Sequence, residues 1–205
     1  MLIEPNTPPV APVAIDEVKA FLRLSGCDED ALLAGFIRTA TALAEAFTNQ
    51  RLIARDLSQR VNASSRWQRL LAAPVVAITG VDGAAGALPG GAYETDIDLN
   101  GDGWMRCLDP ASIGASVVQA LEVDPRGDNW GMGWNLALPP HPPLRLTVHY
   151  TAGMATDWNG IPEPLRQGIV RLVSHLHAHR DAADAGGPPA AVAALWRPWR
   201  RMRLH

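Results

Sequence analysis

Oxygen-bearing side chains crowd one stretch of the chain, from Asp98 through Asn100 and Asp102 to Asp109. They stand at the first, third, fifth and twelfth places, with Gly103 at the sixth. That is the order of a calcium loop, because calcium takes about six to eight oxygens and this spacing wraps them around one ion. Three features favour a plainer reading. The last ligand, Asp109, is shorter than the usual glutamate. Arg106 puts a cation in the ninth place. The preceding LPGGAYETDI cannot supply an entering helix. The expected structure is a hairpin turn built on Asn-Gly and Asp-Gly, with Asp98, Asn100, Asp102 and Asp109 kept as a secondary metal candidate.

Histidines at 175, 177 and 179 form the second cluster. On a helix His175 and His179 share a face, as zinc ligands do, and His177 points elsewhere. Leu176 stands where a zinc protease would carry glutamate, and no third ligand follows, so a polar helix face is expected. No GxSxG, phosphate-binding loop or dinucleotide glycine pattern occurs. The sequence therefore implies no enzyme and no cofactor.

The third cluster is the basic, tryptophan-containing end: Leu195, Trp196, Arg197, Trp199, Arg200, Arg201 and Arg203. Trp and Arg are the side chains most enriched at binding hot spots. From Gly186 onward there are four arginines and no acid. Those four charges against a total of −3 leave −7 for the rest of the chain. An acidic body argues against general wrapping of nucleic acid. The end is read as a protein-docking segment at 186–205, freed by a hinge at Gly186-Gly187-Pro188-Pro189.

The elements that must carry these clusters follow from periodicity. Ile15, Val18, Phe21 and Leu22 recur at helical spacing, giving a helix over 15–24 that Ser25-Gly26 ends. Asp28 is placed to cap a second helix over 29–48, with the stripe Leu32, Leu33, Phe36, Ile37, Ala40, Leu43, Ala44 and Phe47, and Asn49 to close it. Pro162 and Pro164 open a third over 162–180, with Leu165, Ile169, Leu172, Val173 and Leu176 inward. Between them, 52–151 reads as strands at 52–62, 74–81, 92–98, 104–108, 116–123 and 144–151. In the last, Leu144, Leu146, Val148 and Tyr150 alternate with Arg145, Thr147 and His149, which predicts a sheet with one wet face. A long loop fills 124–143. A short helix, AAVAALW, leads into the basic end.

The class is thus α+β: two N-terminal helices and one long C-terminal helix, an inserted antiparallel β region, and an extended basic tail. Residues 1–14 form an arm and 15–181 the main domain. Hydrophobic residues make up 47% of the chain, enough for a core. Cys27 and Cys107 lack metal or disulfide spacing. No apolar run approaches the ~20 residues of a bilayer span, and no secretory signal opens the chain, so a cytoplasmic location without membrane contact is expected.

The order of segments resembles a known family. PVAIDEVKAFLRL, then DEDALLAGFI, then AEAFTNQRLI are similar to the start of phage head–tail connector (adaptor) proteins. LAAPVVAITGV, LTVHYTAGM, IPEPLRQGIVRLVSHLHAHRD and AVAALWRPWR resemble that family's later motifs in the same order. The long loop at 124–143 and the basic end past Trp199 depart from the pattern. The Ala-, Arg- and Pro-rich usage makes the adaptor of a phage-derived gene transfer particle a sub-reading. The resemblance implies a structural protein without enzymatic activity. It implies a homo-oligomeric ring of about twelve copies under the portal, held by head-to-tail contacts. Its partners would be the portal protein, the stopper and tail proteins, and DNA passing through the channel without sequence-specific binding. The protein would be cytoplasmic during assembly and then part of the particle. The alternatives are a DNA-binding or packaging accessory protein acting through the basic end, and a calcium-stabilised binding module on 98–109.

Overall fold

The structure is a computed structural model that describes residues 2–3, 15–84, 86–110, 113, 144–179 and 188–201. The expected strand at 116–123, the loop at 124–143, the hinge glycines Gly186 and Gly187, and Arg203 lie outside the described residues. Two units divide the chain. The first holds Met1–Pro5, Asp56–Leu71 and Ala77–Thr151; the second holds Asn6–Arg55, Ala72–Val76 and Ala152–His205.

The second unit is helical. Helix α1 spans Ile15–Leu22 and α2 spans Asp30–Thr48. After the β region come α3, Glu163–Ala178, and α4, Ala190–Trp196, followed by a 3-10 turn over Arg197–Trp199. Helix α1 stops earlier than expected. Arg23, not a glycine, takes the left-handed conformation (φ 58°), and Leu24 N–H donates back to the Lys19 carbonyl at 3.0 Å. This closure satisfies the last carbonyls before Ser25-Gly26 is reached. Asp28 does not cap α2. Glu29 occupies that position without a side-chain cap bond. Asn49 does close α2 in the left-handed region (φ 57°), its N–H returning to the Glu45 carbonyl.

The core of this unit gathers Val18, Leu33, Ile37, Ala40, Ala44, Leu165, Ile169, Leu172 and Val173. Leu32 and Leu43, expected in the inward stripe of α2, are about two-fifths exposed. The buried arc is centred on the 33–37–40–44 row, and Leu32 and Leu43, eleven residues apart, both lie along the same edge of it. Helix α2 has the length and hydropathy of a bilayer-crossing helix, yet that row is packed inside the protein core.

Backbone contacts tie Arg51–Arg55, Ala72–Val76 and Ala152–Ala155 together below the helices. Arg51 N–H donates to Ala73 carbonyl at 2.7 Å, Gly153 N–H to Pro74 carbonyl at 2.8 Å, and Ala54 N–H to Ala155 carbonyl at 2.7 Å. A Cβ on Gly153 would overlap the Ala54 backbone, so only glycine permits this approach.

The first unit is β. A five-stranded sheet has the order β1-β2-β8-β4-β5, with β1 Leu2–Ile3, β2 Arg55–Asn62, β4 Val75–Gly83, β5 Gly86–Ala87 and β8 Arg145–Ala152. A three-stranded sheet has the order β3-β7-β6, with β3 Gln68–Arg69, β6 Tyr93–Ile97 and β7 Gly103–Cys107. Within the expected N-terminal arm, Leu2 and Ile3 pair with Gln59 and Ser58 of β2. In β8, Leu146, Val148 and Tyr150 are buried, and Arg145, Thr147 and His149 take the other face, as the alternation predicts. Buried Gln59 accepts from Leu71 N–H at 2.7 Å and from the Tyr150 hydroxyl at 3.2 Å, which satisfies a polar group among apolar neighbours.

Candidate functional site

The described part of the basic C-terminal segment, 188–201, packs on α2 and α3. Trp196 is fully buried, with its ring 5.8 Å from that of Phe47 and its Nε1–H 3.4 Å from the Leu165 carbonyl. Gly168 makes room for it: a Cβ there would overlap the indole nitrogen. Beyond α4 the chain stays attached. Gln50 Nε2 donates to the Trp199 carbonyl at 2.5 Å, and Arg201 N–H donates to the Thr48 carbonyl at 2.9 Å, filling one of the open acceptors at the end of α2.

The expected extended tail is therefore corrected over these residues, and so is the part assigned to Trp196. The indole finds its apolar groove within its own chain, in the slot left by Gly168. Leu195 and Trp199 are half-buried against the same core. Arg197 and Arg200 are exposed, and Arg200 lies 5.8 Å over the Phe47 ring. Arg201 is partly buried. Outward the segment shows Arg197, Pro198 and Arg200, with Trp199 and Arg201 partly covered.

Sequence reasoning missed the anchor beneath it. Glu45, in the last turn of α2, is 8% exposed. Its carboxylate accepts from Arg51 Nη1 at 2.8 Å, Arg55 Nη2 at 3.0 Å and Leu52 N–H at 3.0 Å. Two guanidinium groups and one amide satisfy a charge that would otherwise be costly to bury. The signal was an acid inside an apolar helical stripe, followed by arginines six and ten residues on.

The histidines divide as spacing predicts. His175 and His179 lie with ring centroids 4.3 Å apart, and His179 Nδ1 sits 2.9 Å from the His175 carbonyl. His177 turns to Glu29, Nε2 to Oε2 at 2.8 Å, with the edge of Phe36 against its ring. Among the described residues no group of three His, Cys, Asp or Glu side chains is placed to hold a metal ion.

Asp98–Asp102 forms the turn of the β6–β7 hairpin. Asp98 Oδ1 accepts from the N–H groups of Asn100 at 2.9 Å and Asp102 at 2.8 Å, and Gly101 supplies the positive φ of 74°. Asp102 pairs with Arg69 at 2.5 Å. Arg106 pairs across the hairpin with Glu94 and lies 4.8 Å over the Trp67 ring. These carboxylates are thus engaged with N–H donors and guanidinium groups. Burial pushes the Cys107 thiol up from its ordinary pKa, so it stays protonated, whereas Cys27 is exposed.

What this chain resembles is a component of a phage-type neck. Residues 13–74 match the family model of the phage gp6-like head–tail connector protein. Along its whole length the chain matches a protein in the neck of an empty gene transfer agent particle computed with C6 symmetry, at 24% identity and TM-score 0.69, covering 97% of that chain. It matches a chain in the virion of a native gene transfer agent particle at 25% identity and TM-score 0.67, and one in the neck of a native particle computed with C12 symmetry at 24% and 0.67, each again over 100% of this chain and 97% of the other. No curated protein matches. The resemblance to phage head–tail connectors, gene transfer agents included, is supported by both the sequence of the first helices and the fold of the whole chain.

Proposed function

We propose that this chain is the adaptor subunit of a phage or gene transfer particle, forming a ring of about twelve copies beneath the portal and joining head to stopper and tail. The observation that supports this most directly is coverage. The family match begins in α1 and α2, and the structural match runs through every element to the end of the chain with no segment left over. A protein of this kind works by geometry: it holds a channel open and presents a surface on each side.

The C-terminal segment is the proposed portal contact. Leu195 and Trp196 fix its position from below. Trp199, Arg197, Arg200 and Arg201 present the basic surface, suited to paired contacts with portal carboxylates, and Arg203 follows them in sequence. The adaptor would be made in the cytoplasm and enter the particle during assembly, with DNA passing through without sequence-specific contact.

The test is electron microscopy of purified portals mixed with this protein. The expected result is an added ring on one end of the portal, lost with Arg197→Glu/Arg200→Glu while melting is unchanged. Portals that stay bare with the unaltered protein would refute the adaptor reading. A normal ring with the charge-reversed variant would refute the docking surface alone.

A further inference from the structure

The first unit carries a basic groove that the C-terminal docking surface does not involve. Its volume is about 410 Å³, and its lining includes Arg60, Arg69 and Arg145 with the carboxamides of Gln59, Asn62 and Gln68. Strand geometry brings them together. Ala63 N–H donates to the Leu144 carbonyl at 2.7 Å, and Thr151 Oγ1 donates to Asp56 at 2.6 Å, so β2 and β8 run antiparallel and Asn62 lies opposite Arg145. Arg60 is two residues back on the same exposed face of β2, as the period of a strand requires. Gln68 Nε2 reaches the Asn62 carbonyl at 2.7 Å and holds β3 against this edge, which brings Arg69 in.

The charge in the groove is not balanced. Arg69 is paired with Asp102. Arg60 and Arg145 are exposed, and among the described residues neither has a carboxylate partner and no acid lines the groove. Three guanidinium groups against one carboxylate leave a surplus of two positive charges, on a chain whose total is −3.

We infer that this groove binds the phosphodiester backbone of DNA, with Arg60 and Arg145 as the contacting residues. Guanidinium groups match phosphate oxygens in pairs, and the exposed Asn62 adds a neutral carboxamide beside them. A protein carboxylate is the competing ligand. A docked acidic peptide also needs an apolar seat for its other side chains. Among the described lining residues only Val61 is apolar, and it is only 6% exposed. A repeating backbone of single charges needs no such seat. The contact reads no bases, is weak because the rest of the chain is acidic, and is strongly salt-dependent. It deepens the neck reading by naming the surface that touches DNA, and it rests on that reading only for the source of the DNA.

The test is fluorescence anisotropy of a labelled duplex titrated with the full chain over a range of salt concentrations. Binding is expected to fall with salt with a slope of about −2 in log–log form, near −0.9 for each phosphate neutralised. Arg60→Gln and Arg145→Gln should each lower that slope by about one and weaken binding to duplexes of any sequence alike. Arg60→Lys should keep the slope, and Arg197→Gln/Arg200→Gln should change nothing. Circular dichroism melts matching the parent show that the exposed substitutions leave the fold intact. No binding at low salt, binding unaffected by Arg60→Gln and Arg145→Gln, binding lost only with the C-terminal variant, or tighter binding of polyglutamate than of DNA would each overturn the inference. The portal micrographs contain no DNA, so failure here and failure of the adaptor reading are separate results.

Discussion

Replacing Trp196 by alanine should cost the helical unit much of its stability, although only nine residues follow it in the sequence. The side chain is fully buried between Phe47, Leu165 and the Gly168 slot. A buried Trp removes about 150–250 Å² from water. At roughly 25 cal/mol per Å² that is about 4–6 kcal/mol, an upper bound because unfolded chains already bury some surface. The long contact to the Leu165 carbonyl adds little. Truncations of this kind cost about 3–5 kcal/mol in practice, so the expected loss lies there, or about 6–20 °C in melting temperature for a chain of this size. Ending the chain after Pro189 should cost more, since Val192 and the bonds from Gln50 and to Thr48 go as well. Arg197→Ala, on the exposed side of the same segment, should stay within about 0.5 kcal/mol. Thermal and urea unfolding followed by circular dichroism measures all three. A protein ended after Pro189 that melts like the parent would refute the packing argument and restore a free tail.

Gly168→Ala should destabilise by about 1–2 kcal/mol, because overpacking against the indole outweighs the gain in helix propensity; in a Trp196→Ala background the same change should be neutral or favourable, a coupling that a double-mutant cycle reads directly. Glu45→Ala should cost about 3–5 kcal/mol in urea unfolding, since Arg51 and Arg55 lose their shared carboxylate. In the native protein a maleimide should label Cys27 alone, with Cys107 reacting only after denaturation, as mass spectrometry would show. Adding calcium should leave the melting temperature unchanged, because Asp98 and Asp102 already receive N–H and guanidinium donors; a rise abolished by Asp98→Ala would restore the calcium loop.

Much of the architecture was legible along the chain because local physics writes it there. The 3.6-residue period of Leu165, Ile169, Leu172 and Val173 and the two-residue period of Leu146, Val148 and Tyr150 each state which face is buried without reference to any other segment. Asn49 at the end of α2 and Gly101 in the β6–β7 turn take positive φ by residue type alone, an asparagine that tolerates it and a glycine with no Cβ to oppose it. The wet face of β8, and with it Arg145, followed from the same alternation.

What tertiary structure decided were pairings between distant residues. Trp196 reads as an interaction anchor because an indole beside arginines has that composition wherever it points. Its burial depends on a side chain that is missing, the Cβ of Gly168, one helix away. Leu32 and Leu43 fit the helical stripe as well as Leu33 does. Only the packing partners of α2 settle which arc is covered, so the edges of a stripe are set by its neighbours and not by its period. Arg60 and Arg145 are solitary basic residues in sequence. They become one groove because β2 and β8 run antiparallel in a register that the chain between them, 61–144, does not encode locally. Glu45 shows the same limit: an acid in an apolar row is an anomaly until Arg51 and Arg55 fold back to meet it.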